Sequence, residues 1–211
     1  MMKNLITRDK FFDKEQRLKL MKLCRDKALL DKLYGRKNWI KRYMIIDTAL
    51  FSGLRVSEIA DLKIKDLNLT AKAPYLVVRN GKGKKKRDVY LSGRLVRQLK
   101  KFRAFKKEIG ESIEDGAFLF PGREGEKASP FTIMQSIKVA IREAGLPEHY
   151  SAHATRHTFA VHTLDKTGNL AYVQQQLGHS NIATTSIYLA VLPDKNGILA
   201  NLFDKDETFD E

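Results

Sequence analysis

Residues 75–91 read Tyr-Leu-Val-Val-Arg-Asn-Gly-Lys-Gly-Lys-Lys-Lys-Arg-Asp-Val-Tyr-Leu. The β-rich runs Tyr75 to Arg79 and Arg87 to Leu91 flank a Gly- and Lys-rich stretch with the composition of a hairpin turn, so a small antiparallel sheet is expected there. Outside it the apolar period is helical. Upstream, Asp13 with Gln16 forms a capping box that opens a Leu-rich run from Leu18 to Leu23, and a second helical stretch continues through Leu29, Leu30 and Leu33 to Gly35. Trp39, Tyr43, Ile46 and Leu50 then recur at i, i+4, i+7 and i+11, a pattern ended by Ser52 and Gly53, and a further helix is predicted from near Ser57 to Leu62.

Downstream, Ser92 caps a helix with Leu95, Leu99 and Phe102 on one face, and Ser129-Pro130 starts another carrying Ile133, Ile137, Ile141 and Ala144 up to Gly145. Helices follow from about His153 to Leu164, from Asn169 to Gly178, and after Ser180 or Asn181. The fold class expected is mainly α with a small antiparallel β-sheet (α+β). Residues 13–192 read as one domain, 1–12 as a short amino-terminal extension, and 193–211 as an apolar segment with an acidic tail.

The 211 residues are 43% hydrophobic and 30% charged, a balance that fits a globular core and excludes a wholly disordered or collagen-like chain. Cys24 is the single cysteine and no leader-like segment opens the chain, so a cytoplasmic protein is expected rather than a disulfide-stapled secreted one. No apolar run approaches the roughly 20 residues of a membrane span. The formal net charge of +14 suits a polyanionic partner, and it is organised. Arg79 to Lys107 holds thirteen Lys or Arg against one acid, Asp88, whereas the eight residues from Asp204 hold five acids and one Lys, Lys205.

All five histidines, His149, His153, His157, His162 and His179, fall within 31 residues. His153 and His157 have the i, i+4 spacing of a zinc helix, but no third ligand lies nearby and Arg156 between them would repel a cation, so no metal site is expected. His149, His157 and His162 read as packing or surface residues. Phosphate chemistry fits better. Arg156, three residues after His153, leaves the same helix face and can converge with it on one anion. Arg55 stands at a turn with Glu58 close enough to hold its guanidinium, Lys82 projects from the hairpin tip, His179 follows a helix end, and Tyr188 lies nine residues further on.

In this order these residues resemble the catalytic domain of the tyrosine recombinases, the phage integrase family. The resemblance runs from about Asp13 to Val191 through Ser-Gly-Leu-Arg-Val-Ser-Glu at 52–58, Asn-Gly-Lys-Gly-Lys-Lys-Lys-Arg at 80–87, Ser-Ala-His-Ala-Thr-Arg-His-Thr-Phe-Ala at 151–160, Leu-Gly-His-Ser at 177–180 and Ala-Thr-Thr-Ser-Ile-Tyr at 183–188. It implies a site-specific DNA recombinase in which Tyr188 attacks a phosphodiester and leaves a 3′-phosphotyrosine. Arg55 and Arg156 would hold the nonbridging oxygens, Lys82 would protonate the leaving 5′-oxygen, and His153 and His179 would carry protons or donate hydrogen bonds. Glu58 would orient the site, and Arg79, Lys84, Lys85, Lys86 and Arg87 would bind the DNA backbone. No cofactor is implied.

The resemblance also implies a double-stranded DNA partner, a homo-tetramer on DNA, and nucleoid association. The family's amino-terminal core-binding domain is not among these residues, so a fragment, a short member like the fimbrial phase-switch invertases, or a second protein supplying the grip are the readings it leaves. A type IB topoisomerase-like nicking-closing activity, and a DNA-binding regulator without turnover, are the competing functions. Ile198, Leu199, Leu202 and Phe203 would dock on their own domain or on a neighbour.

Overall fold

Two apolar cores, built from successive parts of the chain, meet along one helix. The structure, a computed structural model, describes residues 6–79 and 86–192. The first core is made by α1 (Lys14–Leu33), α2 (Asn38–Ser52), α3 (Val56–Asp61), the strands β1 (Leu67–Asn68), β2 (Tyr75–Val78) and β3 (Arg87–Tyr90), α4 (Gly93–Glu108) and α5 (Pro130–Glu143). The second is made by Ile6, by α6 (Ala152–Thr167) and α7 (Leu170–Leu177), and by Tyr188, which follows the short α8 (Ala183–Ser186). Helix α6 also packs on α2 and so joins the two. Among the described residues no helix is long and apolar enough to cross a membrane.

Local chemistry sets the helix ends. The Asp13 carboxylate accepts from the Gln16 amide at 2.8 Å while the Gln16 side chain accepts from the Asp13 amide, a complete capping box. Ser92, Ser129 and Asn169 cap α4, α5 and α7 through their side-chain oxygens. The two predicted helical stretches after Asp13 are one continuous helix of 20 residues. Its buried positions are Leu20, Cys24, Ala28 and Asp31, whereas Leu29, Leu30 and Leu33 face outward. Asp31 accepts from the Trp39 amide at 2.6 Å and thereby shapes the turn into α2.

Helix α2 is the centre of the first core. Met44 through Leu50 are all buried, including Asp47 and Thr48, so this stretch is enclosed on every side rather than along a single stripe. The sheet is three-stranded and antiparallel in the order β1-β2-β3, with β1 an addition to the predicted hairpin. Leu76 opposes Val89 and both are fully buried, while Val78 opposes Arg87 at the end of the ladder nearest the site. The amino-terminal residues before Asp13 are part of the packing. Ile6 and Phe12 are buried, and the Phe12 amide donates to Thr158 Oγ1 on α6 at 2.8 Å.

The link from α2 to α3 is sterically exacting. Ser52 Oγ donates to the Thr48 carbonyl at 2.6 Å, and Gly53 then turns the chain with φ of +65°. A Cβ at Gly53 would collide with the Phe159 ring of α6, where two ring carbons would lie 2.9 Å away. Gly53→Ala should therefore cost about 3 kcal/mol through left-handed strain and overpacking, and Phe159→Leu in the same chain should recover part of that loss. Urea unfolding of the two single variants and the double variant checks this, and strict additivity would refute the collision.

Candidate active site

The seam between the two cores gathers the charged residues. After Gly53 the chain runs extended through Arg55, which stands just before the first turn of α3. Glu58 at the third helical position folds back, its Oε2 accepting from the Arg55 amide and its Oε1 from Arg55 Nη1, both at 2.9 Å. Arg87 reaches the same carboxylate from β3 with Nη1 on Oε1 and Nη2 on Oε2, again at 2.9 Å each. Arg156 Nη1 is 4.0 Å from Oε2. Burial alone would push the Glu58 carboxyl up, but the Arg87 and Arg55 bonds outweigh it and hold the group below the usual glutamate value.

Arg156 enters from α6 and is nearly enclosed. Its Nη1 donates to the Gly53 carbonyl at 2.7 Å and its Nη2 to the Leu177 carbonyl at 2.8 Å. These oxygens lie at the carboxyl ends of α2 and α7, where helix carbonyls lack internal partners and the helix dipole is negative. One guanidinium thus ties together two helix ends. Burial, reinforced by neighbouring Arg55, lowers its pKa to about 10.

His179 follows Gly178, whose left-handed conformation terminates α7. Its Nε2 lies 3.0 Å from Arg156 Nη2, and since an arginine only donates, Nε2 must be the acceptor. The proton therefore sits on Nδ1, which donates to Thr185 Oγ1 at 2.9 Å. Burial and the cations Arg156, Arg55 and Arg87 push this histidine down to about 4.

Tyr188 lies on the inner side of this seam. Only 1% of it is exposed, in the second core with Ala160, Leu164, Val173 and Leu177. Its hydroxyl is 3.0 Å from His157 Nδ1. Burial pushes the phenol up to about 12 against the opposing pull of Arg156 and Arg55, and His157 is pushed down to about 4 by burial, His153 and Arg156.

The structure brings Arg55, Glu58, Arg156 and His179 into one network and places Tyr188 beside it. His153 is exposed on α6, its ring 6.5 Å from that of His157. Lys82, Lys84 and Lys85 lie outside the described residues, as do Ile198, Leu199, Leu202 and Phe203. Lys86 and Arg79 are exposed, Arg79 with Nε 2.5 Å from Asp66 Oδ1. Arg87 differs from expectation: it points inward rather than toward a backbone ligand. Arg94 on Asp47 and the buried Lys106 on Glu111 are likewise committed to internal carboxylates, so the basic stretch is only partly a surface.

Sequence reading missed two positions. His157, read as packing or surface, holds the Tyr188 hydroxyl, and Thr185 orients His179. The only sequence signal for His157 was its place beside Arg156 and one turn after His153. His149 is a surface residue, exposed, with Nε2 3.1 Å from the Asp9 carbonyl.

This helical frame with its small sheet is the fold of tyrosine recombinase catalytic domains. The sequence profile described as the phage integrase family matches residues 10–195, and the chain belongs to that family. A tyrosine recombinase of Pseudothermotoga lettingae is 36% identical over 150 residues, which cover 71% of this chain and 49% of the relative. Tyrosine recombinase XerC of Xanthomonas campestris is 37% identical over 164 residues, covering 78% of this chain and 44% of the relative. The chain thus spans about half the length of these curated relatives. Among solved structures, the XerH site-specific recombinase bound to a palindromic difH substrate, a post-cleavage complex, superposes with a TM-score of 0.73 at 26% identity over 92% of this chain and 53% of that one.

The two lowered histidines have a measurable consequence. Folded His157 and His179 titrate near 4 rather than 6.5, so the unfolded chain binds more protons between those values. Their contribution to stability is complete above pH 6.5 and is lost as the pH falls toward 4. Asp47, raised to about 6 by burial against the pull of Arg94, acts in the opposite sense, so the test is a comparison of variants. The drop in urea midpoint from pH 7 to pH 4.5 should be smaller in His157→Gln/His179→Gln than in the parent, and an equal drop would remove the assignment.

Proposed function

We propose that this chain is the catalytic unit of a site-specific DNA recombinase that cleaves and rejoins strands through a 3′-phosphotyrosine. The observation that carries the reading is that Arg55 and Arg156 lean on one buried carboxylate, Glu58, with His179 and Tyr188 in the same seam. Attack on a phosphodiester builds negative charge on the nonbridging oxygens, and preorganised guanidinium groups stabilise it without reorganising. The Nε and Nη2 edge of Arg55 is left open for two parallel hydrogen bonds to phosphate, while Arg156, whose Nη2 hydrogens are given to Leu177 and His179, contributes its positive charge beside it. Family membership and the likeness to a recombinase solved with its DNA support the same reading.

In the proposed step the Tyr188 oxygen forms a bond to phosphorus as the bond from phosphorus to the 5′-oxygen breaks. The phenol proton leaves, and the departing 5′-oxygen takes a proton from Lys82. Rejoining is the reverse, with a 5′-hydroxyl as attacker and Tyr188 as leaving group. His157, neutral at physiological pH, is within hydrogen-bond reach of the phenol and suited to accept its proton. Because Tyr188 is buried in this conformation, the segment from Ala183 to Leu192 must shift before its oxygen can meet a phosphate held by Arg55. A homo-tetramer on double-stranded DNA, acting in the cytoplasm at the nucleoid, completes the reading.

Incubation with a nicked suicide duplex carrying the target site should give a covalent protein-DNA adduct on a denaturing gel, and Tyr188→Phe should give none. Arg156→Lys should slow adduct formation by roughly 10²–10³-fold at saturating DNA, since a point charge replaces a fork. An adduct that survives in Tyr188→Phe would defeat the catalytic assignment. Strand-exchange product from paired sites is expected, and relaxation of a plasmid lacking any site would instead indicate a nicking-closing enzyme.

A further inference from the structure

Arg87 has a different task from the surface cations around it. Its side chain is 13% exposed, and all three of its nitrogens are engaged inside the protein. Two meet both oxygens of Glu58, and Nε donates to the Gln176 carbonyl at 3.2 Å. Gln176 immediately precedes Leu177, whose own carbonyl holds Arg156. One side chain on β3 therefore spans the start of α3, which carries Glu58, and the end of α7, which leads to His179.

A second observation is independent of those bonds. A Cβ on Gly178 would lie 2.7 Å from Arg87 Cδ and Nε and 2.9 Å from Cζ. The glycine between Leu177 and His179 thus leaves the space that the Arg87 guanidinium fills, besides supplying the positive φ of +66° that ends the helix. The turn before His179 and the side chain of Arg87 are shaped to each other.

We infer that Arg87 is a positioning residue for the reaction proposed above: it orients the Glu58 carboxylate toward Arg55 and Arg156 and braces the turn that presents His179, without contacting DNA. A buried carboxylate aligned by a bidentate arginine keeps a fixed direction, which a lysine cannot impose. The inference rests on the recombinase reading, and the experiment separates the two.

The test is Arg87→Lys on the full chain with the nicked suicide duplex, alongside the parent and Tyr188→Phe. The adduct-forming rate at saturating DNA should fall at least about tenfold, while DNA affinity and its dependence on salt stay at parental values. If instead the rate at saturation is parental and the salt slope drops by about one, Arg87 is a phosphate contact and the inference is overturned. Parental values of all three quantities overturn it as well.

Gly178→Ala, which removes no charge and presses on Arg87, should show the same slowing with an unchanged salt slope, and a parental rate there counts against the inference. Whichever variant keeps a cooperative thermal melt is scored. Loss of the melt in both would make Arg87 a folding residue and overturn the positioning role. A parent that forms no Tyr188-dependent adduct overturns the recombinase reading, and this inference falls with it.

Discussion

A carboxylate buried among three guanidinium groups is the constraint on which the rest of the site depends. Glu58 lies at the first turn of α3, and without it Arg55, Arg87 and Arg156 would be mutually repelling charges crowded into a partly desolvated space. Two of the arginines are also held from a second direction, Arg87 by the Gln176 carbonyl and Arg156 by the carbonyl ends of α2 and α7. The cations are thus fixed before any ligand arrives. Such preorganisation is what favours a phosphate in its transition state over one in its ground state.

The same seam encloses Tyr188, the proposed nucleophile. Tyr188 is packed among aliphatic side chains with its hydroxyl on His157, and burial raises its pKa although two arginines pull the other way. A phenol in this state is a poor nucleophile. Arg156 connects that state to the rest of the site, because the carbonyl it grips on Leu177 belongs to the helix whose end leads through Gly178 and His179 toward α8. Movement of the tyrosine segment therefore has to be accommodated at a point that the arginine cluster already controls.

The net charge of +14 divides in a way that composition alone does not reveal. Arg87, Arg94 and Lys106 are spent on Glu58, Asp47 and Glu111 inside the fold. Lys86, Arg97, Lys100, Lys101 and Lys107 remain exposed. Only the second group is free to meet a polyanion without rearrangement, and the first group trades that role for rigidity.

Much of the fold was legible because it is written locally. Capping at Asp13, Ser92, Ser129 and Asn169, and left-handed glycines at 53 and 178, act over a few residues and need no knowledge of the partner surfaces. The same short range made Arg55 with Glu58 visible as a pair, whereas His153, expected to converge with Arg156, is exposed while Arg156 turns inward to the Gly53 and Leu177 carbonyls. Tertiary structure decided the rest. Arg87 meets Glu58 across 29 residues and Gln176 across 89, and His157 meets Tyr188 across 31, separations over which no periodic pattern carries information. In a chain so rich in lysine and arginine, an inward cation and an outward one have the same local signature. What separates them is whether folding brings a carboxylate within reach, and that depends on the packing of α3, β3 and α7 together.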